Sequence, residues 1–222
     1  MRLNRTFTLV AVLALVAATN SLSMAFCADV DPLDWPSWRG PEQNGISRET
    51  GLIGDWDPNA EGTAGNVLWK NPELGGISTP IVLRGKLYTI VRADPGTSSE
   101  GEKVVCVDAA TGKKIWENKF NVYLSDVPAE RIGWSSCVAD PTTGYIYAMG
   151  VCNYLQCLDG EKGTTLWAHS LNEEFGMLNT YGGRTNIPVL FEDTVIISGV
   201  IIGWGDMARP AQRFLAFNKK TG

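Results

Sequence analysis

One stretch constrains this chain more than any other: Asp108-Ala-Ala-Thr-Gly112-Lys-Lys-Ile-Trp116. It returns as Asp159-Gly-Glu-Lys-Gly163-Thr-Thr-Leu-Trp167, and its first five positions return as Asn218-Lys-Lys-Thr-Gly222. A short apolar run precedes each copy: Val104–Val107, Tyr154–Leu158 and Phe214–Phe217. Each unit therefore reads as strand, tight turn, strand. The Asp or Asn side chain caps the turn, and Gly supplies a positive φ. The Trp sits on the outgoing strand and is read as locking the outer edge of its own unit. Fully burying one Trp stabilises by roughly 4–6 kcal/mol as an upper bound.

The Asp positions 108 and 159 lie 51 residues apart, as do the Trp positions 116 and 167. A period near fifty with several short strands per unit points to propeller blades. The expected fold class is all-β: a β-propeller of four-stranded antiparallel blades, with about three blades present as an incomplete arc. The first blade takes Thr79–Leu83, Lys86–Val91, Val104–Val107 and Lys114–Glu117. The second takes Ser136–Ala139, Tyr145–Met149, Tyr154–Leu158 and Thr165–Ala168. The third takes Asn186–Phe191, Thr194–Ser198 and Arg213–Phe217, without a fourth strand. Trp69, in Val67–Lys70, reads as the outer strand of a further blade. The best amphipathic helix candidate, Leu171–Leu178, is only two turns.

Residues 1–25 read as a secretory signal. Arg2 and Arg5 make a basic start, Phe7–Ala18 is an uncharged run, and Ser23-Met-Ala25 fits a small-residue cleavage site. That run is too short to span a bilayer. Cys27 raises a lipid-anchor alternative, which the bulky Phe26 disfavours. Residues 26–65 read as an extended leader, either a strap across the propeller or a docking arm. Residues 66–222 read as the repeats, truncated at the C-terminus. Periplasmic or extracellular localisation follows.

Without Arg2 and Arg5 the chain has 17 basic against 24 acidic residues. That balance excludes a nucleic-acid surface, which needs clustered Lys and Arg. Lys113-Lys114 and Lys219-Lys220 read as solvated charges. No second run reaches transmembrane length. His169 is the sole histidine, which argues against a His-based zinc site and a Ser-His-Asp triad. Cys106 and Cys157 hold the same place in their repeats and read as core. One disulfide among Cys137, Cys152 and Cys157 stays open as an alternative.

The Asp-x-x-x-Gly-x-x-x-Trp repeat resembles the pyrroloquinoline-quinone (PQQ) repeat of quinoprotein alcohol-dehydrogenase-like β-propellers. Trp35-Pro-Ser-Trp-Arg-Gly-Pro41 with Asn44-Gly45, Tyr181–Thr185 and Trp204–Pro210 resemble the secreted planctomycete-type group of that family. The resemblance covers residue 34 onward. For enzymatic members it implies PQQ, a calcium ion, a catalytic aspartate and often a disulfide between adjacent cysteines. This sequence has no adjacent cysteine pair, and neither the calcium set nor the catalytic aspartate maps onto it. Other members are protein-binding scaffolds, one of them an outer-membrane-protein assembly lipoprotein. The expected function is thus an exported binding or scaffold module for a protein, a saccharide or a small ligand. The alternatives are the N-terminal part of a PQQ-dependent dehydrogenase and an inert domain fused to other modules.

Strand parity selects a candidate ligand site. In an antiparallel blade, the second-to-third-strand loop and the blade-to-blade loop open on one face. Arg184 lies in a blade-to-blade loop, and Trp204, Asp206 and Arg209 in a second-to-third-strand loop. Two arginines bind carboxylate or phosphate, and Trp stacks on a planar ligand. An internal Arg–Asp pair is the alternative. The repeat residues Asp108, Gly112, Trp116, Asp159, Gly163 and Trp167 belong to the opposite face and are structural.

Overall fold

Strands β2 (Lys86–Ala93) and β3 (Gly101–Asp108) are buried on both faces. That is why they read as near-continuous apolar runs instead of strict alternation. They form the middle of an antiparallel sheet between β1 (Ile81–Leu83) and β4 (Lys114–Asn121). The second sheet runs in order β5 (Val138–Ala139), β6 (Tyr145–Met149), β7 (Tyr154–Asp159), β8 (Thr165–Ser170). A short helix, α1 (Leu171–Phe175), follows and stops at left-handed Gly176. The third sheet runs β9 (Val189–Phe191), β10 (Thr194–Ile201), β11 (Ala211–Asn218). This computed structural model describes residues 31, 33–60, 65–122, 129–177, 187–201 and 211–222, with backbone alone at 129, 200, 201, 211 and 212. The chain is a partial propeller of antiparallel blades.

Several strand boundaries differ from the sequence expectation. β2 and β3 pair over eight residues, from Lys86↔Asp108 to Ala93↔Gly101. Ion pairs hold the loop beyond them: Arg92 with Glu100, and Lys119 with Asp94. β5 shrinks to two residues, where Ser136–Ala139 was expected. The Ser136 hydroxyl accepts from the Thr79 N–H at 2.9 Å, and the Ala139 N–H donates to Pro36 O at 2.8 Å. The backbone beside β5 is thus partnered outside its own sheet.

The leader crosses the open edges of β1 and β5. Trp35 and Val82 exchange two backbone hydrogen bonds, at 2.8 and 2.9 Å. Asp34 Oδ1 accepts from the Arg84 N–H at 2.7 Å. These residues satisfy edge groups that would otherwise be bare.

Adjacent blades pack face to face. Ile81, Leu83, Tyr88, Ile90 and Val104 of the first meet Cys137, Ile146, Ala148 and Leu158 of the second. Tyr147, Met149, Leu155 and Cys157 of the second meet Val195, Ile197 and Phe217 of the third, with Leu171 and Met177 filling the seam. Cys106, Cys137, Cys152 and Cys157 are not bridged to one another, so the disulfide left open is absent among the described residues. Burial pushes the Cys106 and Cys157 thiols up to about 12.

The repeated Trp does not lock its own blade. It reaches the turn of the next one. Nε1 of Trp69, Trp116 and Trp167 donates to the carbonyls of Ala109, Gly160 and Lys219, at 2.9, 3.0 and 3.0 Å. Each acceptor is the residue after the turn's Asp or Asn. The Trp rings lie against Gly112, Gly163 and Gly222, where a Cβ would fall 2.6, 2.5 and 3.0 Å from ring carbons. Each of these glycines has φ near 70°, so glycine is required twice over, by conformation and by space. A second bond repeats two residues after each Trp. The side chains of Asn71, Asn118 and His169 meet the carbonyls of Gly112, Gly163 and Gly222 at 3.2, 2.9 and 2.7 Å. His169 Nε2 can meet a carbonyl only as a donor.

Candidate functional site

The two ends of the blades differ in how their polar groups are engaged. The turn end carries the latches just described. Asp108 Oδ1 accepts from the N–H and hydroxyl of Thr111, at 2.8 and 2.7 Å. Asp159 Oδ1 accepts from the Glu161 and Lys162 N–H groups at 2.8 and 3.0 Å. These carboxylates are occupied in holding their turns. Lys219 is not a solvated charge: it pairs at 3.1 Å with buried Asp140 of the second blade's first turn.

The loop end is organised by Glu102, at the start of β3. This carboxylate is fully buried. Oε1 accepts from the Gly133 N–H at 2.8 Å, and Oε2 from the Val151 N–H at 2.9 Å. Burial pushes its pKa up to about 7, against the pull of the two donors. A Cβ on Gly150 would stand 2.7 Å from Oε2 and 2.5 Å from the Phe120 ring. Glu102 thus fastens the first blade to the connection before β5 and to the β6–β7 turn. Nothing local in the sequence marks it, because its donors are 31 and 49 residues away.

On that fastened connection the Arg131 guanidinium lies 5.2 Å from the Trp134 ring centroid. Trp134 Nε1 is buried and meets no acceptor among the described residues. Between the first and second blades runs a groove of about 350 Å³. Lys119, Phe120 and Asn121 line one wall, and Cys152, Tyr154, Ser170 and Glu173 the other. The Lys119 ammonium is engaged by Asp94 Oδ2 at 2.5 Å and Ser99 O at 2.6 Å. The rings of Phe120 and Tyr154 lie 5.8 Å apart and 30° from parallel. This lining offers an aromatic surface, an amide, hydroxyls, a carboxylate and a neutralised cation. It is chemistry for holding a polar ligand.

The four residues selected by strand parity, Arg184, Trp204, Asp206 and Arg209, lie outside the described residues. The groove residues come from strand ends and α1, whereas the sequence reading sought a site in long loops. The Phe120 and Tyr154 pair shows no common spacing, because it joins strands of different blades.

PQQ and a calcium ion, implied for enzymatic members, would need converging donors from the described residues. Among them no three His, Cys, Asp or Glu side chains converge on a point a metal ion could occupy. Of the roughly six to eight oxygen ligands calcium takes, the described residues thus supply no converging set of three carboxylates.

A family model described as outer membrane protein assembly factor BamB, built on PQQ-like repeats, matches residues 50–222. No curated protein sequence matches the chain. Among solved structures, the quinohemoprotein alcohol dehydrogenase from Comamonas testosteroni is similar at 20% identity, with a TM-score of 0.57. The match covers 88% of this chain and 27% of that one. A quinohemoprotein alcohol dehydrogenase from Pseudomonas putida HK5 is similar at 16% identity, with a TM-score of 0.54 over 86% of this chain and 26% of that one. The chain thus spans about a quarter of the length of these dehydrogenases, and the likeness is one of fold.

Proposed function

Because the chain belongs to the PQQ-like repeat family described as outer membrane protein assembly factor BamB, we propose that it is an exported binding or scaffold propeller. Its ligand, a protein, a saccharide or a small molecule, meets the loop end of the blades. The groove between the first two blades is the observation that carries this reading. Its polar side chains sit on strand ends, beside loops that Glu102 fastens, so the site is preorganised. The turn end, by contrast, spends its polar groups on the latches. Strand parity adds Arg184, Trp204, Asp206 and Arg209 to the loop end as further ligand contacts.

Export rests on the basic start, the short apolar run and the small residues at Ser23-Met-Ala25. Mass spectrometry of the exported form should find an N-terminus between Phe26 and Asp31. A chain retained in the cytoplasm with Met1 intact would contradict export.

The binding reading is tested by affinity capture from envelope extracts of the producing cell. Wild-type chain is compared with Asn121→Ala plus Glu173→Gln, two exposed groove positions. The reading expects a ligand held by the wild type and lost from the double variant, with equal melting temperatures. Equal capture by both would overturn it.

A further inference from the structure

We propose that the groove between β4 and α1 is a binding site for a neutral saccharide; this rests on the reading above and names its ligand class. Its size, about 350 Å³, falls at the small end of the range that ligand pockets occupy. Three features of the lining select the class.

The first is charge. Lys119 is the cation of the lining, and it is already bound by the Asp94 carboxylate and a carbonyl. Glu173 adds a negative charge to the opposite wall. A phosphate or carboxylate ligand would meet repulsion there and no unengaged cation among these side chains.

The second is polarity. Asn121, Ser170 and Glu173 surround the groove, and a hydrocarbon ligand would strand their donors and acceptors without water. Together they present an amide N–H, a hydroxyl and three kinds of acceptor oxygen. Sugar hydroxyls donate and accept at once, so they can satisfy this mixture.

The third is the aromatic wall. Tyr154 is half-buried and braced by Phe120 at 5.8 Å. A sugar ring has a C–H face that packs on such a surface while its edge hydroxyls reach the polar groups. The opposite wall is held too. The Ser170 N–H donates to Glu174 Oε1 at 2.8 Å, which fixes the first turn of α1 that carries Glu173.

The experiment is saturation-transfer NMR and calorimetry on the full chain. The probes are glucose, N-acetylglucosamine, cellobiose and maltose, with an alternating Val-Thr hexapeptide as a separate arm. At least one sugar should bind, with transfer to its ring C–H protons. Asn121→Ala and Glu173→Ala should each weaken that binding about tenfold, the ratio given by losing one hydrogen bond of about 1.4 kcal/mol. Tyr154→Phe should retain saturation transfer, because the ring stays. Sugar binding unchanged in both polar variants overturns the proposal. Peptide binding lost in those variants, with no sugar bound, overturns the saccharide assignment and leaves the loop-end reading standing. Peptide binding unaffected by them, with no sugar bound, overturns both.

Discussion

Glu102 carries the sharpest expectation for a single residue. An ordinary glutamate in the unfolded chain ionises near 4.5, whereas in the fold this one ionises near 7. Between those values the unfolded chain releases a proton that the native chain keeps. Raising pH through this window therefore favours unfolding. The contribution is full below about 4.5 and is lost as pH rises through about 7. Melting temperatures from pH 4.5 to 8 should fall across the window in the wild type and fall less in Glu102→Gln. An identical slope in the two proteins would show that Glu102 does not titrate there. The Gln amide would also turn one donor toward an N–H, of Gly133 or Val151, so a lower melting temperature at acidic pH is expected as well. Glu102 was invisible in the sequence, since a lone carboxylate opening an apolar strand has no signature. The turn residues were legible because Asp, Gly and Trp recur in type and spacing. The Asn71, Asn118 and His169 positions recur in spacing but change in type, so their shared bond emerged only from coordinates.

At the scale of elements, the blade-to-blade latch decides how strands stay assembled. Trp116 is largely buried, lies 5.8 Å from the Tyr88 ring at a tilt of 49° and bonds Gly160 O, whose second donor is the Tyr88 hydroxyl at 3.2 Å. Ile115, its neighbour on β4, is 45% exposed. Trp116→Ala should cost about 3–5 kcal/mol and Ile115→Ala under about 1 kcal/mol, by denaturant titration. Comparable losses would mean that the Trp does not hold the seam. The sequence located every strand of the three sheets. It missed how far β2–β4 extend and how short β5 is, because those limits are set by the Lys119 and Arg92 ion pairs and by the leader. It also placed the Trp contact on the wrong partner. Period and composition show that a Trp is buried but not which neighbour buries it.

For the whole molecule, the repeat predicts what each blade face should meet. Phe191 and Phe214 of the third blade hold the places of Leu83 and Val104 in the first. In the first blade these are 1% and 0% exposed, whereas in the third they are 60% and 71% exposed. Val189, the counterpart of buried Ile81, is exposed with them. Such a patch is a surface for association. Phe191→Ser plus Phe214→Ser should reduce dye binding and light scattering of the purified chain without lowering its melting temperature. A drop in melting temperature with unchanged scattering would mean that these rings are packed in solution. The function proposed above divides the labour between the two ends of the blades, architecture at the turns and ligand at the loops. Site-specific photo-crosslinking in the envelope of the producing cell tests it most directly, with the probe at Asn121 on the loop end or at Lys113 on the turn end. A discrete adduct is expected from position 121 and none from position 113, and an adduct from 113 alone would overturn that division.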